Sequence, residues 1–202
     1  MIAVIDWVLA AWQATSIWEV IAVILAIAYL VLAMYENILC WLAALLSTSI
    51  YVFLFFDVNL YMESGLQIYY IIMALYGWYA WRDHANKQDD LHISRWTTRQ
   101  HLFAIVGILT ITTISAWLLR DSGASYPWLD SFTTWSAVLT TWMVARKILE
   151  NWLYWIVIDS ISIYLFFNKE LYLTALLFLI YVILCVSGYR QWNKKYHASN
   201  NI

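Results

Sequence analysis

The chain has 202 residues and a net charge of −2, and 64% of its residues are apolar while only 12% are charged. A soluble domain carries about 25% charged residues, so this chain lacks the polar groups needed to cover a water-facing surface. The composition excludes an ordinary soluble domain and indicates an integral membrane protein, and the net charge gives no indication of nucleic-acid binding.

The beginning of the chain lacks the basic residues that open a signal peptide. Residues 1–16 are too few to cross a bilayer, since a membrane-spanning helix needs about 20 mostly apolar residues. We expect this short N-terminal segment to form either an amphipathic helix at the membrane surface or a disordered tail.

Seven stretches of the chain are long and apolar enough to be membrane-spanning helices. They are Ile17–Tyr35, Asn37–Asp57, Leu60–Trp81, His101–Leu119, Pro127–Ala145, Ile148–Phe167 and Leu171–Trp192. The only proline, Pro127, falls in the first turn of the fifth span, where it breaks no helical hydrogen bond. The two cysteines, Cys40 and Cys185, lie inside apolar runs, so we expect buried thiols and no disulfide.

The basic residues are distributed unevenly over the segments outside the spans. Residues 82–100 form a long charged loop, residues 193–202 form a basic tail, and the other connections are short. Seven alternating spans place nine of the 11 basic residues on one side of the membrane, and only Arg120 and Lys169 on the other. The positive-inside rule then predicts an external N-terminus, a cytoplasmic 82–100 loop and a cytoplasmic C-terminus.

The third and seventh spans are related by an internal repeat. At a shift of 111 residues they share 7 of 22 positions, where chance in this composition gives roughly two or three. The identical pairs are Leu60/Leu171, Tyr61/Tyr172, Leu66/Leu177, Tyr70/Tyr181, Ile72/Ile183, Gly77/Gly188 and Trp81/Trp192. The second and sixth spans match at a slightly different shift, which pairs Glu36-Asn37 and Trp41 with Glu150-Asn151 and Trp155.

Because three spans lie between the matched ones, the two repeats cross the membrane in the same direction. The predicted fold is therefore an all-α integral membrane protein, with two parallel three-helix bundles at 17–81 and 127–192 joined by a linker helix at 101–119. This is the arrangement of the SWEET sugar carriers, whose substrate site lies near the membrane midplane between the repeats. We expect Gly77 and Gly188 to permit close helix packing or bending rather than to contact the substrate.

Three segments carry motifs typical of one transporter family. They are Gln67-Ile68-Tyr69-Tyr70 with Leu75-Tyr76-Gly77-Trp78-Tyr79-Ala80-Trp81, then Glu150-Asn151-Trp152-Leu153-Tyr154-Trp155 with Asp159, and Gly188-Tyr189-Arg190-Gln191-Trp192. Together they resemble the PnuC family of vitamin transporters, over nearly the whole chain. The resemblance implies facilitated diffusion of an unphosphorylated vitamin, a homotrimer, and trapping of the vitamin by a cytosolic kinase.

The resemblance leaves the vitamin open. The family is best known for nicotinamide riboside, and other members carry thiamine, riboflavin or nucleosides. The nicotinamide riboside type has a Trp-Phe-x-(Arg/Lys)-x-Trp signature, and the nearest string here, Ser187–Trp192, lacks the initial Trp-Phe. This departure favours thiamine slightly, with nicotinamide riboside as the alternative.

Both vitamins are flat and cationic, so their site needs aromatic faces and a few polar groups that orient them. On the sixth span, Asn151, Trp155 and Asp159 are spaced four residues apart and share one helical face. Asp159 lies deep in the span, where it either balances the ligand's charge or forms a structural hydrogen bond to a neighbouring helix.

The first bundle supplies further candidates for the substrate site. Gln67, Tyr69 and Tyr70 lie close together on the third span, and Gln67 either binds the ligand or joins two helices. Asn37 and Trp41 on the second span are candidates because the repeat pairs them with Asn151 and Trp155.

An enzyme is not expected, because the four histidines lie in or near the predicted cytoplasmic segments and only Asp159 is a carboxylate deep in a span. No catalytic residue, metal ion or cofactor is predicted, and a Gly-x4-Gly-Lys nucleotide-binding loop is absent from the sequence. The alternative from another class is a seven-helix vitamin sensor that binds its ligand without transport.

Overall fold

The computed structural model describes residues 16–57, 61–83, 91–120, 126–168 and 172–200. Within these ranges the chain forms seven α-helices and no regular β-strand. The helices are α1 (Ile17–Met34), α2 (Leu39–Asp57), α3 (Tyr61–Asp83), α4 (Thr98–Leu119), α5 (Pro127–Ala145), α6 (Asn151–Asn168) and α7 (Tyr172–Asn200). The predicted N-terminal segment falls almost wholly outside the described residues.

Local sequence signals explain several helix boundaries. Ser16 caps α1 by accepting a hydrogen bond from the backbone N–H of Trp18 at 3.2 Å. Thr97 and Gln100 form a reciprocal capping box, so α4 begins at Thr98 rather than at the predicted His101. Helix α5 begins at Pro127 as predicted, and α7 continues beyond the predicted end of its span to Asn200.

Three helices within the described ranges combine the length and the hydropathy that a membrane span needs. They are Ile17–Met34, Thr98–Leu119 and Thr174–Ser199, and Leu39–Leu54 is a shorter apolar helix. Helices α3, α5 and α6 contain more Trp, Tyr, Thr, Ser and Asn, which lower the hydropathy of a span. Such residues are common at membrane interfaces and between packed helices.

The chain divides into two compact units, and the first covers Met1–Trp78. In it α1 packs along α2, where Ser47 Oγ donates a hydrogen bond to the Ala22 carbonyl at 2.8 Å. The Trp41 ring is buried against Gly77, so close that a β-carbon on Gly77 would overlap it. Of the two roles expected of Gly77, close packing or bending, this contact supports close packing.

The second unit covers Tyr79–Ile202. Here α4 packs on α5, α5 on α6, and α6 on α7. Trp152 of α6 lies against Gly188, where a β-carbon would be 2.7 Å from the indole ring. The Trp192 ring meets the Trp152 ring edge-on, with 5.3 Å between their centroids. Cys185, and Cys40 in the first unit, are both buried and form no disulfide, as predicted.

The same helix-ending turn occurs once in each unit. Glu36 and Lys147 adopt left-handed backbone conformations, with φ of 56° and 51°. In the first unit the N–H groups of Glu36 and Asn37 bond to the carbonyls of Ala33 and Leu32, at 3.0 and 2.9 Å. In the second unit the N–H groups of Lys147 and Ile148 bond to the carbonyls of Val144 and Met143, both at 3.0 Å. Both turns are Schellman motifs.

These turns correct the predicted alignment of the second and sixth spans. Glu36 and Lys147 are 111 residues apart (147 − 36), which is also the spacing of the two packing glycines (188 − 77). The same shift pairs Trp41 with Trp152, and each of these rings packs on its own glycine. The sequence-based pairing of Trp41 with Trp155, and of Asn37 with Asn151, was therefore wrong by three residues.

The left-handed turns also predict a stability effect. An L-residue with a β-carbon is strained in this conformation by about 1 kcal/mol, whereas glycine is not. Glu36→Gly should therefore be more stable than Glu36→Ala by about 1 kcal/mol, measured by thermal unfolding in detergent. Lys147→Gly should gain less, because it also removes the contact of Lys147 Nζ with the Trp81 ring, 4.9 Å from its centroid. Equal melting temperatures for the two Glu36 variants would contradict this.

Candidate functional site

Helix α6 presents a buried polar face within the second unit. Asn151, Trp155 and Asp159 occupy successive turns of this face, at the spacing predicted from the sequence. Asn151 is fully buried, Asp159 is 3% exposed and Trp155 is half-buried. The face therefore brings an amide, an indole and a carboxylate into one row on a single helix.

Several polar atoms on this face retain hydrogen-bonding capacity. The Asn151 amide Nδ2 donates to the Ile148 carbonyl at 2.6 Å, which fixes the orientation of the amide. In the described part of the chain, neither Asn151 Oδ1 nor Trp155 Nε1 has a hydrogen-bond partner, although both atoms are buried. A buried polar atom without a partner costs about 1–3 kcal/mol, so these two atoms are suited to a polar ligand.

Asp159 lies further along the same face and contacts α7. Its Oδ2 accepts a hydrogen bond from Cys185 Sγ at 3.8 Å, a weak interaction from a thiol donor. Ser162 lies nearby in sequence but donates to the Ile158 carbonyl of its own helix. The structure thus gives Asp159 a structural contact with a neighbouring helix, one of the two roles expected from the sequence.

The first unit holds the other predicted residues. Gln67, Tyr69 and Tyr70 are half-buried on α3, and the two tyrosine rings lie 5.7 Å apart between centroids. Asn37 Oδ1 accepts the backbone N–H of Leu39 at 2.9 Å and so caps the start of α2. Trp41 packs on Gly77 and on the Tyr29 ring, 6.0 Å away between centroids. Asn37 and Trp41 therefore have structural roles, and the repeat no longer supports them as ligand contacts.

Glu150, one residue before α6, is a buried anchor that sequence reasoning missed. It is 6% exposed, and its carboxylate accepts hydrogen bonds from Arg95 Nε at 2.9 Å and the backbone N–H of Trp96 at 3.1 Å. The Arg95 hydrogen bond to Glu150 raises the pKa of the guanidinium, so Arg95 stays charged. A glutamate beside a predicted helix start resembles a solvated surface residue, so only the structure reveals this role.

The anchor holds part of the predicted 82–100 loop in place. Ser94 pairs with the α5–α6 turn through two backbone hydrogen bonds, to the carbonyl of Lys147 at 3.0 Å and from the N–H of Leu149 at 2.8 Å. Trp81 Nε1 donates to the Ala145 carbonyl of the same turn at 3.1 Å, and Arg95 lies over the Tyr196 ring at 5.8 Å. Segments predicted to share one side of the membrane thus meet at one end of this unit, which we call the basic end.

The described residues contain no group of three or more histidine, cysteine or acidic side chains that could hold a metal ion. The α6 face itself offers hydrogen bonding from Asn151, an aromatic ring from Trp155 and a carboxylate from Asp159. These are the features of a site that binds a small flat ligand.

Comparisons with known proteins give a consistent result. Residues 16–194 match a family model described as nicotinamide mononucleotide transporter. The nicotinamide riboside transporter PnuC of Escherichia coli (strain K12) is 24% identical, over 86% of this chain and 84% of that protein. The riboflavin/roseoflavin transporter RibM of Streptomyces davaonensis is 26% identical, over 87% and 84%.

One solved structure shares the fold. It is described as the crystal structure of the vitamin B3 transporter PnuC, and it covers 94% of this chain and 86% of its own at a TM-score of 0.72. The sequence identity of this pair is 23%, so the likeness concerns the fold. The all-helical architecture predicted from the sequence agrees with it.

Proposed function

This chain belongs to the nicotinamide mononucleotide transporter family, to which the PnuC vitamin transporters belong, and we propose that it carries nicotinamide riboside. Membership makes it a multi-pass transporter of the inner membrane, and its relatives are named as transporters rather than enzymes. The observation that carries the substrate proposal is the buried face of α6. It offers the Asp159 carboxylate, and its Asn151 amide oxygen and Trp155 indole N–H have no hydrogen-bond partner among the described residues.

The chemistry of nicotinamide riboside suits this face. Its pyridinium ring is flat and cationic, so it can stack on Trp155 with cation–π attraction of about 0.5–2 kcal/mol. Its carboxamide and ribose hydroxyls offer donors and acceptors for Asn151 Oδ1 and Trp155 Nε1. We further propose Gln67, Tyr69 and Tyr70 of α3 as ligand contacts, whereas Asn37 and Trp41 stay predictions without structural support.

The distribution of basic residues favours the riboside over the mononucleotide. A phosphate is bound in proteins chiefly by arginine, lysine or backbone N–H groups. All 11 basic residues lie outside the predicted spans or within two residues of the end of one, at Arg82, Lys87, Arg95, Arg99, Arg120, Arg146, Lys147, Lys169, Arg190, Lys194 and Lys195. The interior of the spans therefore has no cation for a phosphate, although the name of the family mentions a mononucleotide.

The preference for thiamine drawn from the sequence is not supported by the relatives. The Escherichia coli relative is named for nicotinamide riboside, and the Streptomyces relative for riboflavin and roseoflavin. The Trp152 ring fills the space beside Gly188, so the second position of the string Ser187–Trp192 has no room for a phenylalanine side chain. Nicotinamide riboside, the alternative drawn from the sequence, is the better reading.

Several finer features of the fold and the mechanism remain predictions. The family resemblance implies a homotrimer and facilitated diffusion with trapping by a cytosolic kinase. The internal repeat, rather than the resemblance, predicts two parallel three-helix bundles joined by α4 in a SWEET-like arrangement, and the positive-inside rule predicts the external N-terminus. The gathering of Arg95, Lys147 and the last turns of α7 at the basic end supports a common, cytoplasmic side for those segments.

The function is tested by uptake into proteoliposomes. Labelled nicotinamide riboside should equilibrate across the membrane without an energy source, and trapped riboside kinase with ATP should convert this into accumulation. Unlabelled nicotinamide riboside should compete, while nicotinamide mononucleotide should not. A protein that binds the riboside without any internal label would instead be a sensor, and competition by thiamine alone would restore the first preference.

A second measurement separates the two roles of Asp159. If its carboxylate balances the ligand's charge, Asp159→Asn should weaken binding of nicotinamide riboside more than binding of a neutral analogue, such as the reduced riboside. Isothermal titration with both compounds measures this difference, and Ser162→Ala serves as a control on the same helix. Equal losses for the two compounds would show that Asp159 acts through its contact with α7.

A further inference from the structure

Residues 94–96, which precede α4, form a strap over the turn that leads into α6. The N–H of Ser94 donates a hydrogen bond to the Lys147 carbonyl at 3.0 Å, and the N–H of Leu149 donates to the Ser94 carbonyl at 2.8 Å. Lys147 has a left-handed backbone, which is strained for a residue with a β-carbon, so the turn needs such support. The strap therefore fixes the backbone on both sides of Ile148.

The strap also holds the side chain of the residue before α6. One oxygen of Glu150 accepts a hydrogen bond from Arg95 Nε at 2.9 Å, and the other accepts the backbone N–H of Trp96 at 3.1 Å. The Trp96 ring contacts the rings of His101 on α4 and Trp142 on α5, with 5.4 and 6.1 Å between centroids. The buried carboxylate of Glu150 thus connects the start of α6 to a strap that is packed against two other helices.

The same turn sets the orientation of the Asn151 amide. Asn151 Nδ2 donates to the Ile148 carbonyl at 2.6 Å, and the Asn151 backbone N–H donates to the same carbonyl at 3.1 Å. Turning the amide over would place its oxygen against this carbonyl, and two acceptors repel each other, so one orientation is favoured. In that orientation Oδ1 is buried and has no hydrogen-bond partner among the described residues. The position of the Ile148 carbonyl therefore decides where this oxygen points.

The equivalent turn of the first unit is built without these polar side chains. At the shift of 111 residues, Glu150 corresponds to Leu39 and Asn151 to Cys40 (150 − 39 and 151 − 40). Cys40 is as fully buried as Asn151, whereas Leu39 is 48% exposed. Since the first unit forms the same Schellman turn and the same tryptophan–glycine contact, the packing of this turn requires neither a carboxylate nor an amide. Glu150 and Asn151 are therefore specific to the role of the second unit.

We propose that Glu150 is a positioning residue for the substrate. Held by the strap, it fixes the turn whose Ile148 carbonyl directs Asn151 Oδ1 towards the ligand. Both oxygens of Glu150 are bonded to the strap, so it acts on the ligand through Asn151. A segment outside the predicted spans thereby sets the affinity of the site on α6. The choice of nicotinamide riboside as the ligand rests on the proposed function, whereas the positioning of Asn151 does not.

The test uses the whole purified protein in detergent and two measurements. Nuclear magnetic resonance of protein labelled with ¹⁵N-asparagine follows the Asn151 side-chain amide without any ligand, and the loss of its signal in Asn151→Asp identifies it. Isothermal titration with nicotinamide riboside measures affinity, and thermal unfolding measures stability. The first measurement judges the positioning even if the substrate proposal is wrong.

Four variants separate the strap from general effects of charge. Glu150→Gln keeps the shape of the side chain and an acceptor for the N–H of Trp96, but loses the ion pair. Arg95→Met removes the other partner, whose side chain is 44% exposed, so it remains informative if Glu150→Gln does not fold. Arg95→Lys retains the charge. Arg146→Gln is the matched control, because it removes an exposed positive charge beside the same turn.

We expect Glu150→Gln and Arg95→Met to shift or broaden the Asn151 amide signal, and Arg146→Gln to leave it unchanged. Riboside binding should weaken about three- to tenfold in the first two variants, which corresponds to one net hydrogen bond. Arg95→Lys should regain most of this affinity. In an Asn151→Ala background, Glu150→Gln should cause no further loss, because both changes act through one contact.

An Asn151 signal that is the same in wild type, Glu150→Gln and Arg95→Met overturns the proposal. Losses of affinity that add to that of Asn151→Ala also overturn it, because Glu150 would then act on the ligand by another route. A lower melting temperature with unchanged affinity and an unchanged signal assigns Glu150 to stability alone. If the wild type binds no riboside, the proposed substrate is wrong, and the Asn151 signal by itself decides whether the strap positions the amide.

Discussion

Gly77→Ala and Gly188→Ala should each lower the free energy of unfolding by about 1–3 kcal/mol. A β-carbon at Gly188 would lie 2.7 Å from the Trp152 ring, and one at Gly77 would overlap the Trp41 ring. Trp41 and Trp152 are almost fully buried, so neither ring can move aside without disturbing its neighbours. Thermal unfolding in detergent should show a clear fall in melting temperature for both variants.

The chain offers a control for this prediction in α4. A β-carbon at Gly107 would have no neighbour within 4 Å, so alanine there introduces no contact. Since alanine is favoured over glycine inside a helix by about 0.5–1 kcal/mol, Gly107→Ala should be neutral or stabilising. If Gly188→Ala and Gly107→Ala had the same melting temperature, the close packing of α6 on α7 would not be a source of stability.

The same two contacts show how much of the fold could be predicted from the sequence. The period of 111 residues and the packing role of both glycines were predictable, because Gly77 and Gly188 recur at matching positions of two similar spans. The register of the preceding helices was not, because the repeated Glu-Asn letters at 36–37 and 150–151 suggested a shift of 114. The left-handed turns at Glu36 and Lys147 contain no glycine, so no local pattern indicated them.

Helix ends were predictable only where a strong local signal coincides with the end of an apolar run. Pro127 begins α5, and the basic pair after Ala145 ends it, so the predicted and observed bounds agree. Helix α7 continues to Asn200, because a helix that leaves the bilayer can continue through lysine and alanine, which favour helices. The length of an apolar run therefore predicts the part of a helix that lies in the bilayer, and not the full length of the helix.

The candidate site was predicted in part. Helical spacing placed Asn151, Trp155 and Asp159 on one face, since a period of 3.6 residues is enough for this. The pairing of Glu150 with Arg95 depends on a contact between distant segments, which no local pattern encodes. The polar face could thus be predicted from the sequence of one helix, whereas the Glu150–Arg95 pair could not.

Trp155→Ala should weaken the binding of nicotinamide riboside 10- to 100-fold, because it removes stacking and cation–π energies of about 1–3 kcal/mol. Titration calorimetry on the purified protein measures this loss, and transport in proteoliposomes should fall with it. Trp155→Phe retains an aromatic face but removes the Nε1 donor, so it should give an intermediate affinity. A control for tryptophan loss is Trp128→Ala on α5, where the side chain is 54% exposed.

The pattern across these variants distinguishes a binding role from a packing role for Trp155. If the ring only packs, Trp155→Ala lowers the melting temperature and leaves the affinity of the folded fraction unchanged, which would remove Trp155 from the site. If the ring binds the cation, the loss is smaller for a neutral analogue, since the cation–π term disappears while the stacking remains. Because Trp155 Nε1 is buried without a partner in the described part of the chain, its removal in Trp155→Phe leaves no protein acceptor unsatisfied. If Trp155→Phe binds the ligand more weakly at an unchanged melting temperature, the loss is that of a hydrogen bond from Trp155 Nε1 to the ligand.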